Sequence, residues 1–129
     1  MCLTALMAYA VFAVYMLSLD LRAKAYFERG EYEKALPLNL RALAVREAAA
    51  PEHPVTAASL NNLALTYWAL GKYDKPLSLN ARALEIHEKA LGPEHPDTAI
   101  SLNNLSLTYN ALGEYDKALP LQLRALAIV

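Results

Sequence analysis

The chain has 129 residues, with 12 Lys+Arg against 13 Asp+Glu and a formal net charge of −1. That balance argues against a dedicated nucleic-acid binder, which needs a cationic face for phosphate contacts. A hydrophobic content of 56% excludes a chain that is disordered over most of its length, and the single cysteine, Cys2, excludes an intrachain disulfide and a cysteine-based zinc site.

The first element predicted is apolar. Met1 to Leu19 reads MCLTALMAYAVFAVYMLSL and carries no charge. As a helix it is apolar on all sides, unlike an ordinary surface helix. Nineteen residues rise roughly 28 Å, close to the thickness of a bilayer core. Arg22, Lys24 and Arg29 follow, and in a membrane anchor they place the rest of the chain on the cytoplasmic side. Two other readings stand beside the anchor: a helix that packs on the first repeat or self-associates, and a start set by how the chain was delimited. A secretory signal is disfavoured because no Lys or Arg precedes the apolar run. No Pro or Gly occurs before Gly30, so one continuous helix from about Leu3 to Arg29 is expected.

The rest of the chain repeats itself. Pro54 to His87 and Pro96 to Val129 match at 23 of 34 positions without a gap, at an offset of 42 residues. A weaker copy lies upstream at an offset of 41, where Tyr26 to Val45 matches Tyr67 to Ile86. The expected organisation is an apolar N-terminal helix over 1–18 and a repeat array over 19–129. Its units run at about 19–53, 54–95 and 96–129.

Within one unit the spacing is helical. Leu60, Leu63, Ala64, Tyr67 and Leu70 recur every three or four residues, and Gly71 follows where a left-handed C-cap favours glycine. A second helix is predicted from about Tyr73 to Leu91, with Leu77, Ala83, Leu84 and Ile86 as its apolar face. Pro93-Glu94-His95-Pro96 then stops one helix and starts the next, with Pro96 in the first turn and Asp97 complementing the helix dipole. Pro76 suits a first turn, whereas Pro37 and Pro120 remove a hydrogen bond and bend their helices slightly. Two antiparallel helices cannot bury their own apolar stripe, so identical pairs stack. Ala64, Ala83, Ala125, Gly71 and Gly113 are expected at close crossings. Tyr67, Tyr73, Tyr109 and Tyr115 are expected as wedges between layers. At the far end Leu121, Leu123, Ala125 and Ile128 are expected to stay partly uncovered, which points to a fragment of a longer array or to a surface that pairs with another chain.

The order Leu60, Leu63, Tyr67, Gly71, Tyr73, Ala83 resembles the tetratricopeptide repeat. The 42-residue period and the phrases ALGPEHPDTA, SLNNLALTY and KALPL are similar to its kinesin-light-chain-type subgroup. The resemblance covers about Leu19 to Val129 and implies an all-α solenoid of about three antiparallel helix pairs wound into a right-handed superhelix. Three positions depart from it: Pro76 stands where the other copies have Ala35 and Ala118, Arg22 stands where they have Leu63 and Leu105, and the first unit lacks the PEHPxT lead-in.

No phosphate loop, nucleophile elbow or HExxH motif is present. His53 and His95 occupy equivalent turns. Side chains repeated by translation stay parallel and do not converge on one ion, so Glu52, His53, Glu94 and His95 are read as helix caps. Neither an enzyme nor a metal or cofactor is expected. The notable polar feature is the paired asparagine. Asn61-Asn62 and Asn103-Asn104 sit mid-helix, where asparagine is a poor helix former. Asn61, Leu65 and Trp68 form one stripe and Asn103, Leu107 and Asn110 the matching one.

The resemblance implies that first helices line a concave groove, with Asn61 and Asn103 clamping the main chain of a peptide through donor and acceptor together. Leu65, Leu107 and Trp68 then supply apolar contact, and Asp20, Lys24 and Phe27 a charged end. The competing reading has the asparagines bonding between adjacent repeats. Adjacent residues point about 100° apart, so within each pair one asparagine is free to serve each purpose. The groove lacks the cationic cluster that a C-terminal carboxylate ligand needs. The expected role is a cytoplasmic protein-interaction scaffold that binds an extended peptide or partner surface. The alternative is a membrane-anchored or self-associating structural array that pairs through uncapped ends or touches a membrane through residues 1–19.

Overall fold

The computed structural model describes residues 2–128. Among the described residues it contains helices and no strands: α1 (Cys2–Glu28), α2 (Tyr32–Ala49), α3 (Pro54–Ala69), α4 (Pro76–Leu91), α5 (Pro96–Ala111) and α6 (Tyr115–Ile128). Each helix packs on the one before it, and α3 also touches α5. Packing therefore follows chain order, as in a solenoid whose layers contact only their neighbours.

The turns explain where the helices begin and end. Pro54 and Pro96 open α3 and α5. The imidazole Nδ1 of His53 accepts from the Val55 N–H at 3.0 Å, and that of His95 accepts from the Asp97 N–H at 3.0 Å. The histidines of the PEHP turns are thus N-caps that satisfy a free helix donor. Two residues past each proline, a threonine ties the new helix to the end of the old one. Thr56 Oγ1 donates to the Ala50 carbonyl at 2.6 Å and Thr98 Oγ1 to the Gly92 carbonyl at 2.8 Å.

Within the units, Gly71 and Gly113 adopt φ of 78° and 80°. The N–H after each bonds back to Tyr67 and Tyr109 carbonyls at 2.9 Å, and the glycine N–H bonds to Trp68 and Asn110 carbonyls at 3.0 Å. This pair of bonds closes a helix through a left-handed residue. A Cβ at either glycine would meet nothing within 4 Å. The backbone angle, and not a close helix crossing, therefore demands glycine there, which corrects the crossing role expected for Gly71 and Gly113.

The second helix of the middle unit starts at Pro76 and not at Tyr73. Its counterparts start at Tyr32 and Tyr115, each with an internal proline, Pro37 or Pro120, through which the helix continues. Proline at position 76 lacks an N–H and fixes the φ of a first turn, so the helix begins there and Tyr73 is left in the turn.

Apolar burial is divided among the layers. Met16, Leu19 and Ala42 pack between α1 and α2. Leu43, Ala57, Leu60, Leu63, Ala83 and Ile86 join α2, α3 and α4. Leu84, Ala99, Leu102, Leu105 and Ala125 join α4, α5 and α6. Tyr67 and Tyr109 pack against these clusters as wedges. Tyr73 and Tyr115 do not: they are 39% and 67% exposed, because each follows the closing glycine and leaves the interlayer face. Tyr73 instead sits edge-on to Trp68 within its own unit.

At the far end the expected stripe holds except at Ala125, which is buried. Leu121 and Ile128 are half-buried against the last cluster, and Leu123 is exposed, as are Leu119 and Leu126. Leu126 repeats the position of Leu43 and Leu84, each covered by the next unit's first helix.

α1 is a single helix as expected, unbroken across position 18. Its last turns serve as the first helix of unit one, with Leu19 and Ala23 buried. Residues 3–15 are exposed, and so do not stack on the first repeat. Arg22 is exposed as well, where the equivalent Leu63 and Leu105 are buried.

Candidate functional site

A groove of about 350 Å³ lies between the middle and last units. α3 contributes Ala58, Asn61, Asn62, Leu65 and Trp68 to it, α4 contributes Asn80 and His87, and α5 contributes Asp97, Ile100, Asn104, Leu107 and Thr108. Leu65, Trp68, Ile100 and Leu107 are 48%, 41%, 54% and 55% exposed. Four large apolar side chains thus face water together in one concavity. Isolated exposed apolar residues are ordinary, but a contiguous concave set marks a contact surface.

The groove wall is stapled by side-chain bonds that recur with the repeat. Asn80 Nδ2 donates to Thr108 Oγ1 at 2.6 Å and to the Asn104 carbonyl at 3.3 Å. One unit earlier, Asn39 Nδ2 donates to Thr66 Oγ1 at 2.6 Å. Each threonine donates its own proton to the carbonyl four residues back, Asn62 or Asn104, at 3.0 Å. A second helix is thereby locked to the next first helix by an amide that donates to a hydroxyl.

A second recurring set lies at the next level. Around the first two units, Arg46 donates to Asp20 through Nη1 and Nη2 at 3.0 and 2.5 Å and to Ser59 Oγ at 2.7 Å. The same positions in the next layer hold His87, Asn61 and Ser101. Asn61 Nδ2 donates to Ser101 Oγ at 3.2 Å, and His87 Nδ1 lies 2.6 Å from the same oxygen. Burial pushes the His87 pKa below its ordinary 6.5; Asp97 opposes this and His95 adds to it. In the neutral imidazole with its proton on Nε2, Nδ1 accepts from Ser101, whose oxygen accepts from Asn61.

The residues singled out by sequence are therefore divided. Asn61, Asn62, Leu65, Trp68, Asn104 and Leu107 line the groove. One Asn61 amide hydrogen bonds to the neighbouring repeat, and its Oδ1 is buried without a partner. Asn62 is exposed. Asn103 and Asn110 lie outside the groove lining, with Asn103 exposed and Asn110 half-buried. Asp20, Lys24 and Phe27 are on α1, away from it: Asp20 is paired with Arg46, Lys24 with Glu28 at 3.9 Å, and Phe27 packs edge-on against Tyr32.

The division has a geometric cause. A groove between stacked helices exposes the forward edge of one and the rear edge of the next. α3 therefore offers Ala58, Asn61, Asn62, Leu65 and Trp68, whereas α5 offers Ile100, Asn104 and Leu107, the repeats of Ala58, Asn62 and Leu65; Asn103 and Asn110, the repeats of Asn61 and Trp68, fall outside it. Translating the stripe of Asn61, Leu65 and Trp68 onto the next unit misses Ile100, Asn80, His87 and Asp97. The signal available for Asn80 is its recurrence as Asn39 opposite Thr66 and Thr108.

Comparison with known proteins agrees with this architecture. Two family models described as tetratricopeptide repeat match, one over residues 16–55 and 56–97 and the other over 77–129. No curated protein matches. Among solved structures, a Podosopora anserina chain described as a putative kinesin light chain with nearly identical TPR-like repeats aligns with a TM-score of 0.80 at 29% identity, over 88% of this chain and 55% of that one. A substituted form of that chain gives 0.81 at 29% identity, over 88% and 54%. BtubC (BKLC) from P. vanneervenii gives 0.80 at 24% identity over 88% and 46%, a likeness of fold alone. The chain spans about half the length of these structures. Repeats of this kind generally mediate protein–protein interaction and are typically non-catalytic. With its helix pairs, glycine-closed turns and three-layer packing, the chain belongs to the tetratricopeptide-repeat family.

Proposed function

We propose that this chain is a binding module that holds an extended peptide segment of a partner protein, without catalysis, in the groove between α3 and α5. The observation that carries the reading is the exposed set Leu65, Trp68, Ile100 and Leu107, gathered in one concavity. Their burial is the favourable term, at about 25 cal/mol per Å² of apolar surface covered. Asn62 and Asn104 sit beside them with an amide each, suited to a peptide main chain whatever its side chains. The one carboxylate lining the groove among the described residues is Asp97, and no Lys or Arg lines it. A ligand presenting a C-terminal carboxylate is thus disfavoured, and one with apolar side chains is preferred.

The test is binding of the full chain to an array of peptides with and without aliphatic or aromatic residues. A Leu65→Lys plus Leu107→Lys variant serves as control, since both positions are exposed, with its melting curve expected to match the parent's. Binding weakened at least tenfold in the variant is expected. Undiminished binding would place the contact surface elsewhere on the array.

A further inference from the structure

We propose that the exposed first half of α1 is a lipid-embedded segment that fixes the repeat array to a bilayer. From Cys2 to Leu19 the helix carries no charged side chain. Within it Leu3, Leu6, Met7, Tyr9, Val11 and Phe12 are 46% to 71% exposed. At about 100° per residue these side chains point to every quarter of the circumference. A helix apolar on all sides belongs in the core of a large assembly or in a membrane. A single partner helix would cover one face and leave the others wet, whereas lipid covers all of them, so the all-round pattern favours a bilayer over a single partner helix.

Stacking of a second copy head-to-tail is opposed by Arg22. It is exposed on α1 at the position where α3 and α5 bury Leu63 and Leu105 against the preceding unit. A copy seated there would have to cover a guanidinium with leucine side chains.

The dimensions and charges fit insertion along the helix axis. Cys2 to Leu19 rises about 27 Å, against about 30 Å for a hydrocarbon core. The turn from Met16 to Leu19, which packs on α2, forms the inner edge of that span. The part of α2 beside this turn carries Arg46, paired with Asp20, and Glu47, paired with Arg82, with Ala48 and Ala49 beyond them. The first acid after the apolar run, Asp20, is neutralised by Arg46. Arg22, Lys24 and Arg29 come next and favour the cytoplasmic leaflet. Because α1 continues without a break into unit one, the array is coupled to the membrane by a helix and not by a flexible linker.

The experiment is flotation of the full chain with phosphatidylcholine vesicles after dilution from detergent, together with labelling of Cys2, the one thiol, by a membrane-impermeant maleimide. Flotation is expected, with Cys2 protected until detergent is added. Leu6→Lys plus Val11→Lys should reduce the floating fraction at least tenfold and leave the thermal melting curve unchanged, since neither residue packs on the array. Leu126→Lys, an exposed leucine at the opposite end, should float like the parent. Three results would overturn the proposal: a chain that stays at the bottom of the gradient, a floated chain whose Cys2 reacts at full rate, or a discrete oligomer in lipid-free buffer that does not transfer to vesicles.

Discussion

The two junctions between units are built on the same positions with opposite chemistry. At the first, Asp20, Arg46 and Ser59 form a charged cluster; at the second, Asn61, His87 and Ser101 form a neutral one. A bidentate guanidinium–carboxylate pair is strong and rigid. A neutral set bonded through one hydroxyl is weaker, and burial keeps its imidazole uncharged. The apolar groove opens beside the neutral junction. A fixed ion pair there would hold water at the site and raise the desolvation cost of a bound peptide. The repeat thus keeps its packing constant and changes the charge of one buried layer where a ligand surface is exposed.

The comparison is broken most severely at the charged junction. Arg46→Leu leaves Asp20 partly buried without its partner and is expected to cost about 2–3 kcal/mol, less than a fully buried pair because Asp20 retains some solvent. Asp20→Asn in the same chain should recover part of that loss, and urea denaturation measures both. A single-site loss below about 0.5 kcal/mol would mean that the cluster does not hold the first junction.

The feature common to both junctions should matter next. Asn39→Ala and Asn80→Ala each remove an amide clasped to a threonine, at an expected cost of about 1–2 kcal/mol. Asn80 should be the larger, because it is 3% exposed and Asn39 is only half-buried. Equal thermal shifts would show that depth is irrelevant to the staple.

The smallest effect sharpens the contrast through pH. His87 has a folded pKa below the unfolded 6.5, so the unfolded chain binds protons more readily. Stability is then complete above about pH 6.5 and falls as pH drops from there through the lowered folded value. His87→Gln is expected to cost about 1 kcal/mol at neutral pH and to remove that part of the acid-side decline. The check is a set of melting curves from about pH 7.5 to about pH 5, spanning the histidine range. An identical decline in the variant would assign the acid sensitivity elsewhere.

Much of the fold is legible in the sequence because it rests on local rules read at matching positions. Gly71 and Gly113 end helices through positive φ, and the PEHP prolines start them. The start of α4 is misplaced when a tyrosine that opens two other second helices is weighed above a proline that suits a first turn. The Tyr73 and Tyr115 wedges fail for a related reason: the tyrosine before a closing glycine is held against a layer, whereas the one after it is not. Half of the groove is legible as the Asn61, Leu65, Trp68 stripe. Asn104 and Leu107 are legible too, as the repeats of Asn62 and Leu65; Ile100, Asp97, Asn80 and His87 are not, because they lie outside that stripe or on the second helix. The junction bonds of Asp20 and Asn61 reach side chains 26 and 40 residues away, a relation that helical periodicity does not contain.

Trp68, the one tryptophan of the chain, is 41% exposed and lies in the groove. Its fluorescence on titration with a bound peptide is therefore the most direct measurement. Occupation of the groove should exclude water from the indole, shift its emission to shorter wavelength and saturate in parallel with binding. A peptide that binds the chain to saturation while Trp68 emission stays unchanged would contradict the groove as the site.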